Sequence, residues 1–179
     1  MLNNGGHNMS PGWKLLIISS WFQVIWLLSV IGQTRFQWLA LTLSIVTILV
    51  SYRMLNLRLL QLSLLVVAGL VIDSLNMLAS LLVFDTHVLP VWLMALWLIF
   101  SWYAFYLKTF LTSYPILLVS IIGGFGGAIS YLAGFKLGAV TTQYSMLVTL
   151  GILFIEWVLI VYLIVRYPRP NERKWTHET

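Results

Sequence analysis

Between Trp13 and Val165 six apolar runs follow one another, and only a few polar residues separate each from the next. A bilayer core is roughly 30 Å thick, so a spanning helix needs about 20 such residues. The runs are Trp13–Ile31, Phe36–Tyr52, Leu59–Phe84, Pro90–Leu107, Pro115–Leu132 and Tyr144–Val165. Short turns join them: Gly32 to Arg35, the basic stretch holding Arg53 and Arg58, Asp85 to His87, and Thr112 to Pro115. Pro90 suits the start of a helix, where its missing N–H would have no partner anyway. Only 8% of the 179 residues are charged, against about 25% in a soluble domain. Too little charge remains to clothe a water-facing surface. The expected fold is an all-α, polytopic membrane bundle of about six helices with a glycine-rich fifth helix.

Residues 1–12 read as a flexible N-terminal tail, 13–166 as a single membrane domain, and 167–179 as a cytoplasmic C-terminal tail. The first run lacks a small-x-small cleavage site and is followed by further spans, so it reads as a retained helix. Six spans put both termini on one side. That side carries Lys14, Arg53, Arg58, Lys108, Arg166, Arg169, Arg173 and Lys174; the other carries Arg35 and Lys136. The asymmetry predicts cytoplasmic termini. Trp13, Trp38, Trp92 and Trp102 lie near the ends of the predicted spans, as an interfacial belt would. Trp21, Trp26, Trp97 and Trp157 lie deeper and read as packing residues.

The chain has no cysteine, which excludes disulfides, thiolate nucleophiles and cysteine metal sites. His7, His87 and His177 share no ligand spacing, so no metal site is expected. The formal charge of +5 sits at span ends and sets topology; it does not point to nucleic acid. No catalytic residue and no cofactor is called.

Asp73 stands near the middle of the third run. A charged side chain there costs roughly 2.5–3.5 kcal/mol on insertion scales. Gly69, Asp73, Asn76 and Ser80 recur at helical spacing, so this stripe is expected to face the bundle interior. Either it forms a substrate, ion or proton site, or it clamps helices by hydrogen bonds. Glu156 is at similar depth in the sixth run with no polar stripe of its own, and must pair with another helix or stay protonated. Gln23 reaches similar depth in the first run. These four residues, Asp73, Asn76, Gln23 and Glu156, form the candidate midplane polar site, with Gln23 and Glu156 the expected partners of Asp73. Lys136 is a candidate cation at an outer mouth, or a lysine that snorkels to the headgroups.

Six of the twelve glycines fall between Ile121 and Val140. Pairs such as Gly123 with Gly127 and Gly134 with Gly138 let helix backbones approach closely. Residues Ala133–Val140 are expected to form a glycine-broken connection. GGFGGA lacks the strand before it and the Lys-Ser/Thr after it that a phosphate loop needs.

Three blocks resemble a known family: Val71 to Leu75, Leu89 to Phe100, and Gly127 to Val140. In order and spacing they are similar to the small bacterial inner-membrane proteins grouped as domain of unknown function 2878, over about Trp21 to Trp157. Where that family is expected to carry Gly-Pro-Leu-Ser-Tyr, this chain has Gly127-Ala128-Ile129-Ser130-Tyr131, so no proline kink is implied here. The resemblance implies a bacterial multi-span inner-membrane protein and supplies no activity. The leading expectation is a transporter-like or ligand-binding membrane protein for a small or lipidic molecule. The alternative is a non-catalytic partner or assembly factor for another envelope or lipid-handling protein. A lipid-acting enzyme is disfavoured by the lack of a readable nucleophile–base pair.

Overall fold

The computed structural model describes residues 10–55 and 57–166. It is all helical: α1 (Pro11–Leu55), α2 (Leu59–Leu78), α3 (Val91–Leu111), α4 (Ile116–Lys136) and α5 (Met146–Arg166). Among the described residues all five helices are long and apolar enough to cross a membrane.

The first helix is two limbs. Gln33 has φ 41° and ψ −129°, outside helical space. Trp21 Nε1 donates to Thr47 Oγ1 at 2.9 Å, 26 residues away. In a straight helix those residues would be about 39 Å apart, so the chain must reverse at Gln33. Limbs 11–32 and 34–55 run antiparallel, and the bundle has six helical limbs, as the six apolar runs predict.

Several boundaries differ from the sequence reading. The first helix begins at Pro11, two residues before the first apolar run; residues 1–9 and 167–179, where the two tails are expected, lie outside the described residues. α2 ends at Leu78, well short of Phe84. The stop is a Schellman motif: Leu81 N–H donates to the Asn76 carbonyl and Ser80 N–H to that of Met77. This leaves Ser80 at φ 59°, so Ser80 is not the next rung of the Gly69–Asp73–Asn76 stripe. Likewise Ala133–Val140 is not a broken connection throughout. α4 runs on to Lys136, and Gly138 at φ 69° closes it, with Ala139 N–H donating to the Gly134 carbonyl. Glycine suits that left-handed position. The two helix ends then meet: Val83 and Thr141 exchange backbone hydrogen bonds at 2.7 and 2.8 Å. Leu81, Leu82, Val140 and Leu153 form a small core beneath that bridge.

Packing divides the bundle into two units. α1 and α2 pack on α3, and α4 pairs with α5. Within the first unit, Ile25, Ile48, Ile99 and Trp102 share one core, and Trp102 Nε1 donates to Ser51 Oγ at 2.7 Å. Ser44 Oγ donates to carbonyls of its own limb and of α3 (Ala95). Trp92 and Trp102 are therefore interior packing residues, 5% and 6% exposed, not members of an interfacial belt; Trp13 and Trp38 do face outward. The outer surface is covered by Leu, Ile and Val side chains, as a lipid-facing surface requires.

Candidate functional site

The two units are joined by a stack of aromatic rings held between glycines. Gly69 on α2 lies against the indole of Trp97; a Cβ there would fall 2.1 Å from the ring. Trp97 stacks on Trp157 of α5, with centroids 5.7 Å apart and planes within 6°. Trp157 in turn lies against Gly127 of α4, where a Cβ would also fall 2.1 Å from the ring. Four helices thus meet in the order glycine, indole, indole, glycine. Stacked aromatic pairs contribute about 0.5–1.5 kcal/mol beyond the area they bury. Here the glycines bring backbone against the outer ring faces.

The same two glycines place the polar centre. Asp73 is one helical turn beyond Gly69, and Tyr131 is one turn beyond Gly127, so each pair shares a face. With Trp97 laid against Gly69, its Nε1 donates to Asp73 Oδ2 at 2.6 Å. Tyr131 donates its hydroxyl to Asp73 Oδ1, also at 2.6 Å. Asp73 has no exposed surface. Each of its oxygens has one donor, from α3 and from α4. A buried carboxylate is tolerated only when it is hydrogen-bonded in this way, and the bonds tie three helices together.

Asn76, one turn further along α2, donates Nδ2 to Glu156 Oε2 at 2.8 Å. Glu156 therefore does pair with another helix, and the partner is Asn76. Asp73, Asn76 and Glu156 form one polar layer. Gln23 does not join it: its side chain is exposed on the first limb and has no hydrogen-bond partner among the described residues. Lys136 is exposed in the last turn of α4, away from Asp73.

The candidate packing glycines separate by role. Gly123 and Gly127 do sit in the α4–α5 contact, against Val161 and Trp157; Gly124, against Val158 and Phe154, does too. Gly134 touches only Val140 of the following loop, and Gly138 meets no atom within 4 Å because it is the helix stop. Trp97, Trp157 and Tyr131 are the side chains that complete the centre. The first two read as packing residues in sequence, and nothing marked Tyr131 as the partner of Asp73. The signal that could have found them is a small residue one turn before a polar one, on both α2 and α4.

Between the α1–α3 unit and the α4–α5 hairpin lies a cavity of about 660 Å³. Its walls are mostly apolar and aromatic: Phe22, Trp26, Phe100, Leu118, Ile122 and Trp157 are among them, with Gln23, Ser130, Tyr103 and Tyr114 bringing polar groups. A smaller space of about 70 Å³ adjoins it, sharing Trp26, Ser130 and Trp157 and reaching Trp97 and Tyr131. Trp26 crosses from the first limb to α4, donating Nε1 to Ser130 Oγ at 2.8 Å. Asp73 itself lines neither space. The two side chains it holds, Trp97 and Tyr131, line the smaller space and not the larger one. No three His, Asp or Glu side chains among the described residues converge on a point that could hold a metal.

Neither the curated proteins nor the solved structures searched contain a match to this chain. A family described as Protein of unknown function (DUF2878) matches residues 15–163, which covers α2, α3 and α4, most of α1 and α5, the stacked indoles and the Asp73 centre. The chain belongs to that family.

Proposed function

We propose that this protein is a multi-pass membrane protein that binds a lipidic molecule in the cavity between its two helical units. One observation carries the reading: about 660 Å³ of apolar space bordered by four of the six limbs, the first limb of α1 with α3, α4 and α5, with few polar groups. Ligand cavities run about 300–1,000 Å³ and are mostly apolar with a few placed polar groups. In a bilayer such a space is open to lipid chains, and the Trp26–Ser130 bond ties two of its walls, the first limb of α1 and α4, together.

Gly126 supplies the test. It lines the cavity, and a Cβ there meets nothing within 4 Å. Gly126→Trp should therefore fill the cavity without disturbing packing. Native mass spectrometry of the full chain in mild detergent should show lipid adducts on the wild type and few on the variant, with the same thermal midpoint. Equal adducts on both proteins would sink the proposal.

The same reading places both termini on the cytoplasmic side of a bacterial inner membrane. The support is charge: the ends of α1, α3 and α5 nearest the termini bear Lys14, Arg53, Lys108 and Arg166, whereas the opposite ends bear Arg35 and Lys136. Reporter fusions at Thr86 should give an outside signal and fusions after Thr179 an inside one. The reverse pattern would refute the orientation.

A further inference from the structure

Among the hydrogen-bonding groups on the cavity's walls, Gln23 and Ser130 are left partly unused by the protein and face it from opposite helices. Gln23 lines it and has no partner among the described residues. Ser130 lines it too; its oxygen accepts from Trp26, and its own O–H is not donated to any described group. The two stand at matching depth. Gln23 is 12 residues along the first limb from Pro11 and Ser130 is 14 along α4 from Ile116, so they lie about 18 and about 21 Å from the terminal side. The Trp26–Ser130 bond fixes that register, since Trp26 is the residue one turn beyond Gln23.

That depth is near the bilayer middle, far from headgroups and water. A free amide there is costly unless something accepts from it. An unsubstituted hydrocarbon chain offers nothing. Resting on the lipid-binding reading above, we infer that the ligand is a lipid whose chain bears an oxygen part-way along its length, as a hydroxyl or a carbonyl. Gln23 reads that oxygen from α1 and Ser130 from α4, while the surrounding aromatic and aliphatic wall holds the chain on either side. A site built to hydrogen-bond a ligand oxygen discriminates against a ligand lacking it, because its own polar groups are then left unpaired.

Oleate and ricinoleate differ by one mid-chain hydroxyl and are the probes. The purified full chain in mild detergent is offered both in equal amount, and bound species are counted by native mass spectrometry. The wild type should favour ricinoleate by about fivefold, as one net hydrogen bond allows. Gln23→Leu should lose that preference and keep oleate binding. Equal binding of both probes by the wild type overturns the inference and leaves lipid binding standing. Binding of neither overturns lipid binding itself. A preference that survives Gln23→Leu overturns the assignment of the oxygen to Gln23.

Discussion

Gly69→Ala should be among the most damaging single-methyl changes in this protein, lowering stability by about 3–5 kcal/mol. Alanine is the better helix former by about 1 kcal/mol, so propensity alone predicts the opposite sign. Packing decides. The added Cβ would stand 2.1 Å from the Trp97 ring, a distance no side chain tolerates. Trp97 cannot slide back, because Trp157 covers its other face and Gly127 backs Trp157. Overpacking a rigid core costs about 1–3 kcal/mol. Shifting Trp97 also breaks its bond to Asp73, and a hydrogen bond to a charged group contributes about 1.5–3 kcal/mol. Thermal unfolding in mild detergent, followed by circular dichroism, measures the loss. Gly126→Ala is the control and should be within about 0.5 kcal/mol of the wild type, since that glycine faces open space. An unchanged midpoint for Gly69→Ala would mean that the glycine–indole layer does not hold the units together.

Much of this fold is written in the sequence at low resolution. Spans are legible because length and apolarity alone decide them. The reversal at Gln33 is legible because Gly32 to Arg35 interrupts an apolar run. The third run shows where that approach fails. Leu81 to Phe84 is as apolar as the helix before it, so hydropathy carries the span to Phe84. The chain leaves the helix at Ala79 because a Schellman motif and the pairing of Val83 with Thr141 satisfy its backbone. That pairing joins residues 58 positions apart, and no local pattern announces it.

The candidate site was legible to the same degree. Spacing on α2 puts Gly69, Asp73 and Asn76 on one inward face, and they are all buried. Spacing says nothing about what meets that face. Depth suggested Gln23 and Glu156 as partners for Asp73. Depth fixes only one coordinate; rotation about each helix fixes whether two residues at one level meet. Gln23 is turned toward the cavity, and Tyr131 is turned toward Asp73 because Gly127, one turn earlier, is pressed against Trp157. Rotation is set by which small residues admit which rings, a property of pairs of helices.

Asp73→Asn should leave the protein folded, within about 1 kcal/mol of the wild type, whereas Asp73→Leu should cost about 3–5 kcal/mol. The difference follows from what the two donors can do. The Trp97 indole N–H can only donate, so it needs an acceptor at the Oδ2 position. The Tyr131 hydroxyl can donate or accept. Asparagine offers one oxygen and one NH₂: the oxygen takes the Trp97 bond and the NH₂ donates to Tyr131, whose hydroxyl turns round. Both contacts persist, weakened by the lost charge. Leucine offers neither, and strands two buried polar groups at about 1–3 kcal/mol each. Thermal unfolding of the two variants side by side is the measurement. The double variant Asp73→Asn with Tyr131→Phe should be less stable than Asp73→Asn alone, because the amide then faces a ring edge with no oxygen. Lipid adducts read out the second half of the argument. If Asp73 only holds Trp97 and Tyr131 in place beside the cavity, Asp73→Asn keeps both its stability and its lipid. A variant that stays folded but no longer retains lipid would show that the negative charge itself is needed, and a leucine variant as stable as the wild type would remove the clamp altogether.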